Sequence, residues 1–468
     1  MSHAFQWTDA AVRAALSQPR PSEDTNRPVF SQVSTDTRAL RNGALFVALV
    51  GERFDAHDFV EEAVGAGATG LVVSRPVDVR EGVAVYQVRD TLVALGDLAR
   101  FRRRTLGARV VGVTGSSGKT TTKEFIRAAL EPTLRTHATT GNLNNRIGLP
   151  LTILGAPQNV EALVLEMGTS EPGEIAALAA IAEPDVGVIS TVGQAHLEGL
   201  GSLEGVFAEK LSLLEALPPE GLAVVGDRPR TLPVRARAKA DRVRVAGWSP
   251  LADPDLRPQD AQSDEAGRYT FSWKSSRIGM AIPGRHAVQS ALLAAAVALE
   301  LGVPATAAAS GMASVEPPAL RGEVRRIGRL VVLADCYNAN PQSVRAGLDL
   351  LSELPALHRR IAFLGSMLEL GGQEEALHAE LLQEALRRPL DVIVATGVFA
   401  RVAAAVEEES EGRLLVREDP LDAFAVLLPH LRGDEILLLK GSRGVALERL
   451  IPLLEEAFGA PALNGGGH

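Results

Sequence analysis

Short apolar runs separated by segments of helical spacing recur along most of the chain. Residues 44–50 (ALFVALV) and 70–73 read as buried strands, and residues 58–66 between them carry helical periodicity. Residues 84–104 read mostly as helix leading out of this first unit. From residue 109 onward, apolar runs at 109–113, 162–166, 186–191 and 221–225 alternate with helical segments. That alternation predicts a mostly parallel sheet with helices on both faces. Residues 227–277 break the rhythm: they are charged, proline-rich and weakly β, and read as hairpins and loops at the edge of the domain. An Ala/Leu-rich helix is predicted over 286–301. Beyond a linker at Pro317-Pro318, four more apolar runs (330–333, 360–364, 391–395, 435–439) predict a doubly wound unit closed by a final helix. The expected fold class is therefore α/β in three domains: a small α/β unit over 1–85, a central mostly parallel-sheet domain over 86–316, and a third over 317–468.

The junction after the run at 109–113 carries the strongest chemical signal. It reads Thr114-Gly115-Ser116-Ser117-Gly118-Lys119-Thr120-Thr121, a tight variant of the strand–loop–helix that cradles phosphates. Glycines let backbone N–H groups point inward, and the helix start adds positive dipole. Lys119 would reach the terminal phosphates and the Thr120 hydroxyl would sit on Mg²⁺. The loop marks the central unit as a nucleoside triphosphate-binding domain.

Other candidate residues sit at strand ends, where ligands bind in such sheets. Glu166 closes the run ALVLE and could hold Mg²⁺ directly or through water. His196 follows the next strand in GQAHLEGLGS and suits a mixed metal site. Gly141–Gly148 (GNLNNRIG) brackets three amides with glycines, as a loop touching a polar ligand would. Asp335-Cys336-Tyr337-Asn338-Ala339-Asn340-Pro341 brings a carboxylate and amides to another strand end.

Bulk properties narrow the class. A net charge of −9 with no long basic run argues against nucleic acid as a partner. Cys336 is the single cysteine, so no internal disulfide forms and a reducing, cytoplasmic setting is expected. The N-terminal residues lack a signal-peptide pattern, no apolar stretch is long enough for a membrane span, and the C-terminal NGGGH reads as a frayed tail.

The motifs TGSSGKT, GNLNN-IG-P, LE-G, AHLEG-GS and GRH, in this order over nearly the whole chain, resemble the Mur ligases, ATP-dependent amide ligases of peptidoglycan synthesis. DCYNANP, STDTR (34–38), LFVAL-GERFDAHDF (45–59) and the closing KGSRG are similar to the branch that joins D-alanyl-D-alanine to UDP-N-acetylmuramoyl-tripeptide. The resemblance implies a UDP-binding first domain, an ATP-binding second and a Rossmann-like third, acting as a monomer through an acyl phosphate. It implies ATP and two Mg²⁺, with Thr120 and Glu166 serving one metal and His196 the other. A lysine at the position of Lys210 is carbamylated in the family, turning a cation into an anion that helps place the second metal. Ser34, Asp36, Arg38, Phe46, Ala48, Gly51, Asp55 and His57 would hold the UDP end of the substrate. Asn142, His286, Arg321, Asp335 and Asn338 would contact ATP or close the third domain onto it. Asn338, Asn340 and Ser442 would help place the dipeptide, with Lys440 and Arg443 as cations near an anionic peptide.

Three positions depart from the family pattern. G-R-H-N-x-x-N becomes Gly284-Arg285-His286-Ala287-Val288-Gln289-Ser290, losing two amides near the adenine. Gln289 is not expected to substitute, because one residue along a helix is about 100° around it. Ser366 replaces an aspartate, and Cys336 stands where Ser or Thr is usual and reads as a packed bystander. Two alternatives stay open: another amide ligase, adding the third residue or glutamates to folate, and a ligase-like binder without turnover.

Overall fold

The computed structural model describes residues 5–19, 28–355, 358–406 and 410–459; the NGGGH tail lies outside them. Three wholly or mostly parallel sheets follow one another along the chain. The first has four strands, in the order Val33–Ser34, Ala44–Val47, Ala68–Val73 and Ala84–Gln87. The last of these corrects the helix expected from residue 84. Val85 and Gln87 are exposed and Tyr86 is buried, a period of two rather than 3.6. The Tyr86 hydroxyl donates to Asp9 Oδ1 at 2.8 Å. The helix starts later, at Thr91, because Asp90 caps it: its Oδ1 accepts from the backbone N–H groups of Leu92 and Val93. This helix, Thr91–Leu106, joins two cores. Leu95 and Leu98 pack with Trp7 and Phe30, whereas Ala99 and Leu106 pack with Leu149 and Leu178 of the central unit.

The central sheet has six parallel strands in the order Arg242–Ala246, Leu222–Gly226, Val186–Ile189, Arg109–Thr114, Ala162–Glu166 and Thr136–Ala138. Its two edge strands were not legible as apolar runs. Arg242–Ala246 alternates arginine with valine, and Arg244 is held outside by Asp253 and Asp255. The region 227–277 is therefore only partly hairpins. It supplies this sixth strand and a short helix, Leu232–Arg237, before the three-stranded antiparallel sheet of Gln259–Ser263, Arg268–Trp273 and Ser276–Pro283. Helix Arg285–Glu300 then packs its alanine-rich face on the phosphate-loop helix, Lys119–Leu130.

The third sheet runs Glu323–Ile327, Leu330–Asp335, Ile436–Lys440, Arg360–Leu364, Val392–Ala395 and Leu414–Val416, parallel except for the first strand. Helix Pro341–Glu353 opens with a capping box between Asn340 and Ser343. Cys336 is fully buried in this core among Leu437, Leu439 and Leu447, and burial pushes its thiol up to about 12. A thiol without thiolate does not alkylate. The folded protein is thus expected to take up no iodoacetamide at pH 8 and one equivalent after unfolding; stoichiometric labelling of the folded protein would contradict this placement.

Candidate active site

The carboxyl ends of the central and third sheets face a common cavity of about 610 Å³. Its floor is the loop after strand Arg109–Thr114. Gly115 has φ +152°, and a Cβ there would lie 2.0 Å from Ser190 Oγ, so only glycine fits. Gly118, at φ +79°, turns the chain into the helix beginning at Lys119. Ser116, Ser117, Gly118, Lys119, Thr120 and Thr121 all line the cavity. Thr114 does not: it is buried below, its hydroxyl donating to the Met167 carbonyl. Lys119 Nζ donates to the Gly115 carbonyl at 2.7 Å, and burial lowers its pKa, opposed by the charge of Glu166.

Glu166 comes from the neighbouring strand and is buried. Its Oε1 accepts from Asn144 Nδ2 at 2.8 Å, while its Oε2 has no partner among the described residues. The three amides of the Asn loop have separate tasks. Asn144 holds Glu166, Asn145 Oδ1 accepts from the backbone N–H groups of Ile147 and Gly148 at a helix start, and Asn142 lines the cavity.

His196 also lines the cavity, in a left-handed backbone conformation at φ +53°. Its Nδ1 lies 2.5 Å from Glu369 Oε2 of the third domain. That bond holds the Glu369 carboxyl below its ordinary value. Nδ1–H donates to the carboxylate, leaving Nε2 for another partner. Glu369 has no sequence signal beyond its place in GSMLELG, yet it fixes the ring.

Lys210 is fully buried beneath the cavity rather than lining it. Its Nζ has no hydrogen-bond partner among the described residues. Burial, then the charge of Lys119, pushes its pKa well below the ordinary lysine value. Glu209, beside it, is spent on the N–H groups of Gly173 and Ile175.

From the third domain, Arg321, Asp335, Tyr337, Asn338, Asn340 and Lys440 reach the cavity. Several are differently employed from what the motifs suggest. Lys440 Nζ is buried between Asp335 Oδ2 at 2.9 Å and the Asn338 carbonyl at 2.8 Å, so it is no free cation for a peptide. Asn340 spends its amide on the Ser343 N–H and on the Ser116 carbonyl at 3.0 Å, a latch between the third domain and the phosphate loop. Ser442 is buried, accepts from the Leu368 N–H and faces Asn338 Oδ1 at 3.4 Å; it positions Asn338 rather than lining the cavity. Tyr337, which carried no assignment in the sequence, has Arg321 Cζ 3.9 Å and Arg443 Cζ 5.0 Å from its ring centroid.

The N-terminal candidates lie outside this cavity. Asp36 and Arg38 form an exposed pair, with Ser34 hydrogen-bonded beside them. Asp55 and His57 pair at the foot of the Gly51 loop. Phe46 and Ala48 are core residues, so their side chains hold the sheet rather than contact a ligand. The departures also resolve. Ser366 Oγ accepts from the Val398 N–H at 2.9 Å, capping a helix start. Ala287 is in the core and Ser290 Oγ accepts from Thr122. Against expectation, Gln289 lines the cavity together with His286, Ser290 and Leu293.

Profiles of three domains match in chain order: the Mur ligase family catalytic domain over 29–103, the Mur ligase middle domain over 113–298, and the Mur ligase glutamate ligase domain over 320–443. The chain belongs to the Mur ligase family. Among its relatives is the UDP-N-acetylmuramoyl-tripeptide–D-alanyl-D-alanine ligase of Bacillus subtilis, 36% identical over 95% of this chain and 97% of that one. The ligase of the same name from Escherichia coli is 34% identical over 91% and 93%. The crystal structure of MurF from Acinetobacter baumannii superposes with a TM-score of 0.87 at 30% identity, covering 97% of this chain and 99% of that one. That of MurF from Thermotoga maritima in complex with ADP gives 0.79 at 29% identity, over 91% and 97%. No helix among the described residues of this Mur ligase is long and apolar enough to cross a membrane.

Proposed function

We infer that this Mur ligase is an ATP-dependent peptide ligase of peptidoglycan synthesis, joining D-alanyl-D-alanine to UDP-N-acetylmuramoyl-tripeptide. The names of its full-length relatives support the substrates, and the ADP-bound homologue supports the nucleotide. The observation that carries the chemistry is the cavity itself: a phosphate-binding loop, an unpaired Glu166 oxygen and the latch residues of a second domain meet in one space. We divide the chain near residues 85 and 316, and place the UDP end of the substrate on the first domain beside Ser34, Asp36, Arg38, Gly51, Asp55 and His57. We also propose a cytoplasmic setting, which the single, buried cysteine supports, and action as a monomer.

In this mechanism an oxygen of the tripeptide's terminal carboxylate attacks the γ-phosphorus of ATP. The bond to the β–γ bridging oxygen breaks, and ADP leaves with that electron pair. The dipeptide amine, deprotonated, then attacks the acyl carbon, and inorganic phosphate departs with the substrate oxygen. Lys119 and Arg321 offset the repulsion between carboxylate and triphosphate. Asn142, His286 and Asp335 contact the nucleotide, while Lys440 and Ser442 hold Asp335 and Asn338 in place for it.

The residues fit a divalent cation. Glu166 Oε2 is a buried oxygen with no hydrogen-bond partner among the described residues, in a side chain that lines the same cavity as Thr120, and hard oxygen donors of this kind suit Mg²⁺. When bound, Mg²⁺ would neutralise charge on the triphosphate. No group of three His, Cys, Asp or Glu side chains gathers at His196 among the described residues, and its Nδ1 is taken by Glu369. A carbamate on Lys210 would add an anion for a second ion. The Lys210 amine is buried and has no hydrogen-bond partner among the described residues, and burial lowers its pKa well below the ordinary lysine value, which favours the neutral form that adds to the carbon of CO₂, the amine proton leaving to water.

The two-step route has a direct test. Tripeptide substrate with ¹⁸O in its terminal carboxylate is expected to deliver one ¹⁸O into each inorganic phosphate formed. Unlabelled phosphate would exclude the acyl phosphate.

A further inference from the structure

A second lysine on the phosphate-loop helix has no part in the chemistry above. Lys123 stands one turn beyond Lys119 on helix Lys119–Leu130, yet it is fully buried and does not line the cavity. Its Nζ donates to the Thr139 carbonyl at 2.6 Å and pairs with Glu124 Oε1 at 2.8 Å. Glu124 is also paired with Arg127, at 2.8 Å. A buried ion pair is costly to desolvate and adds little stability over a well-packed apolar side chain. What an apolar side chain could not do here is hold the Thr139 carbonyl.

Thr139 is the root of the Asn loop. It follows strand Thr136–Ala138 and is buried. Its carbonyl takes Lys123, its N–H donates to the Val164 carbonyl, and its Oγ1 accepts from the Glu166 N–H at 3.0 Å. The loop then returns to the same strand end. Asn144 Nδ2 donates to Glu166 Oε1 at 2.8 Å, and the Asn144 carbonyl accepts from the Gly168 N–H at 2.8 Å. A Cβ on Gly168 would lie 2.9 Å from the Asn144 side chain, so the two segments pack at close approach. Glu166 is thus held at its backbone by Thr139 and at its carboxylate by Asn144. Both belong to the segment that Lys123 ties to the phosphate-loop helix.

We propose that Lys123 is a positioning residue for Glu166. It fastens the segment that orients this carboxylate to the helix that carries Lys119 and Thr120, so the two sides of the phosphate end of the cavity keep one spacing. Groups that act together on a transferred phosphoryl group need that spacing to within about an ångström. The effect on turnover rests on the ligase reading above; the fastening of the loop does not.

Lys123→Met in the full chain tests it. The change keeps the buried stem and removes the ammonium, and Glu124 stays paired with Arg127, so no carboxylate is left without a partner. The variant's kcat is expected to fall about 10- to 100-fold, while KM for UDP-N-acetylmuramoyl-tripeptide stays within about twofold of the wild type. Amide hydrogen exchange of the ligand-free protein is expected to quicken about tenfold over residues 139–148. It should stay unchanged over strand Ala68–Val73 of the first sheet. Combining Lys123→Met with Asn144→Ala should cost little more than the worse single change, because both act through Glu166. Thr139→Val removes the acceptor of the Glu166 N–H and leaves the lysine in place; it is expected to give the same split, and serves should the methionine variant fail to fold. Wild-type kcat, loop exchange at the wild-type rate, additive losses, or exchange quickened across the whole central sheet would each overturn the positioning role. Faster exchange confined to 139–148, in a chain whose wild type turns over no ATP, would overturn the ligase reading and leave the fastening by Lys123 standing.

Discussion

Replacing Lys119 with alanine is expected to slow ADP formation by about a thousandfold or more, the scale on which single charge-stabilising groups act in phosphoryl transfer. The geometry makes the loss specific. Lys119 projects from the first residue of the loop helix, and its amine sits against the Gly115 carbonyl at the cavity floor. Burial, with the charge of Arg321, lowers the Lys119 pKa, and Glu166 and Glu369 oppose this only in part. Removing the amine removes its burial cost, so the variant should unfold at an unchanged or slightly higher denaturant concentration. Single-turnover ADP release and equilibrium unfolding together check this. Turnover within tenfold of the wild type would show that the loop does not handle the transferred phosphoryl group.

The second large effect is expected at Lys210. Lys210→Ala should lose about a hundredfold to a thousandfold in turnover, although the side chain does not line the cavity. A fully buried amine with no hydrogen-bond partner among the described residues costs stability in its unmodified form. Burial and the Lys119 charge lower its pKa well below the ordinary lysine value, which favours the neutral amine that adds CO₂. Two consequences separate a carbamate from a packing role. The wild type should lose activity in CO₂-stripped buffer and regain it with bicarbonate. The alanine variant should ignore bicarbonate but recover part of its activity with a small carboxylate that fits the vacated space. Full activity in the variant, or a wild type indifferent to CO₂, would contradict the carbamate.

Much of this site is legible in the sequence because strand ends are. Thr114–Thr121, Glu166, His196 and Asp335 each follow a buried apolar run, and in a parallel sheet that alone sends them to one crevice. Edge strands were less legible. Arg242–Ala246 and Glu323–Ile327 carry arginine and glutamate on an exposed face, which hides the apolar signal. Ala84–Gln87 reads as helix until Asp90 is recognised as the cap. What motifs do not disclose is how side chains are spent. Lys440, Asn340 and Ser442 look like ligand contacts by type, yet hydrogen bonds within the third domain and, for Asn340, to the phosphate loop consume them. The converse holds for Glu369 and Tyr337, whose partners His196, Arg321 and Arg443 are distant in sequence. That Gln289 lines the cavity is not legible from the positions of the missing amides, because the cavity face of its helix is set by contact with the phosphate-loop helix.

The most direct measurement is phosphate release from ATP and Mg²⁺ with UDP-N-acetylmuramoyl-tripeptide, with and without D-alanyl-D-alanine, followed by mass analysis of the product. Release that needs both substrates and yields an amide-linked pentapeptide is the predicted result. No release with meso-diaminopimelate, lysine or ornithine at the third position of the tripeptide would contradict it, leaving a binder without turnover or a ligase for a different amine.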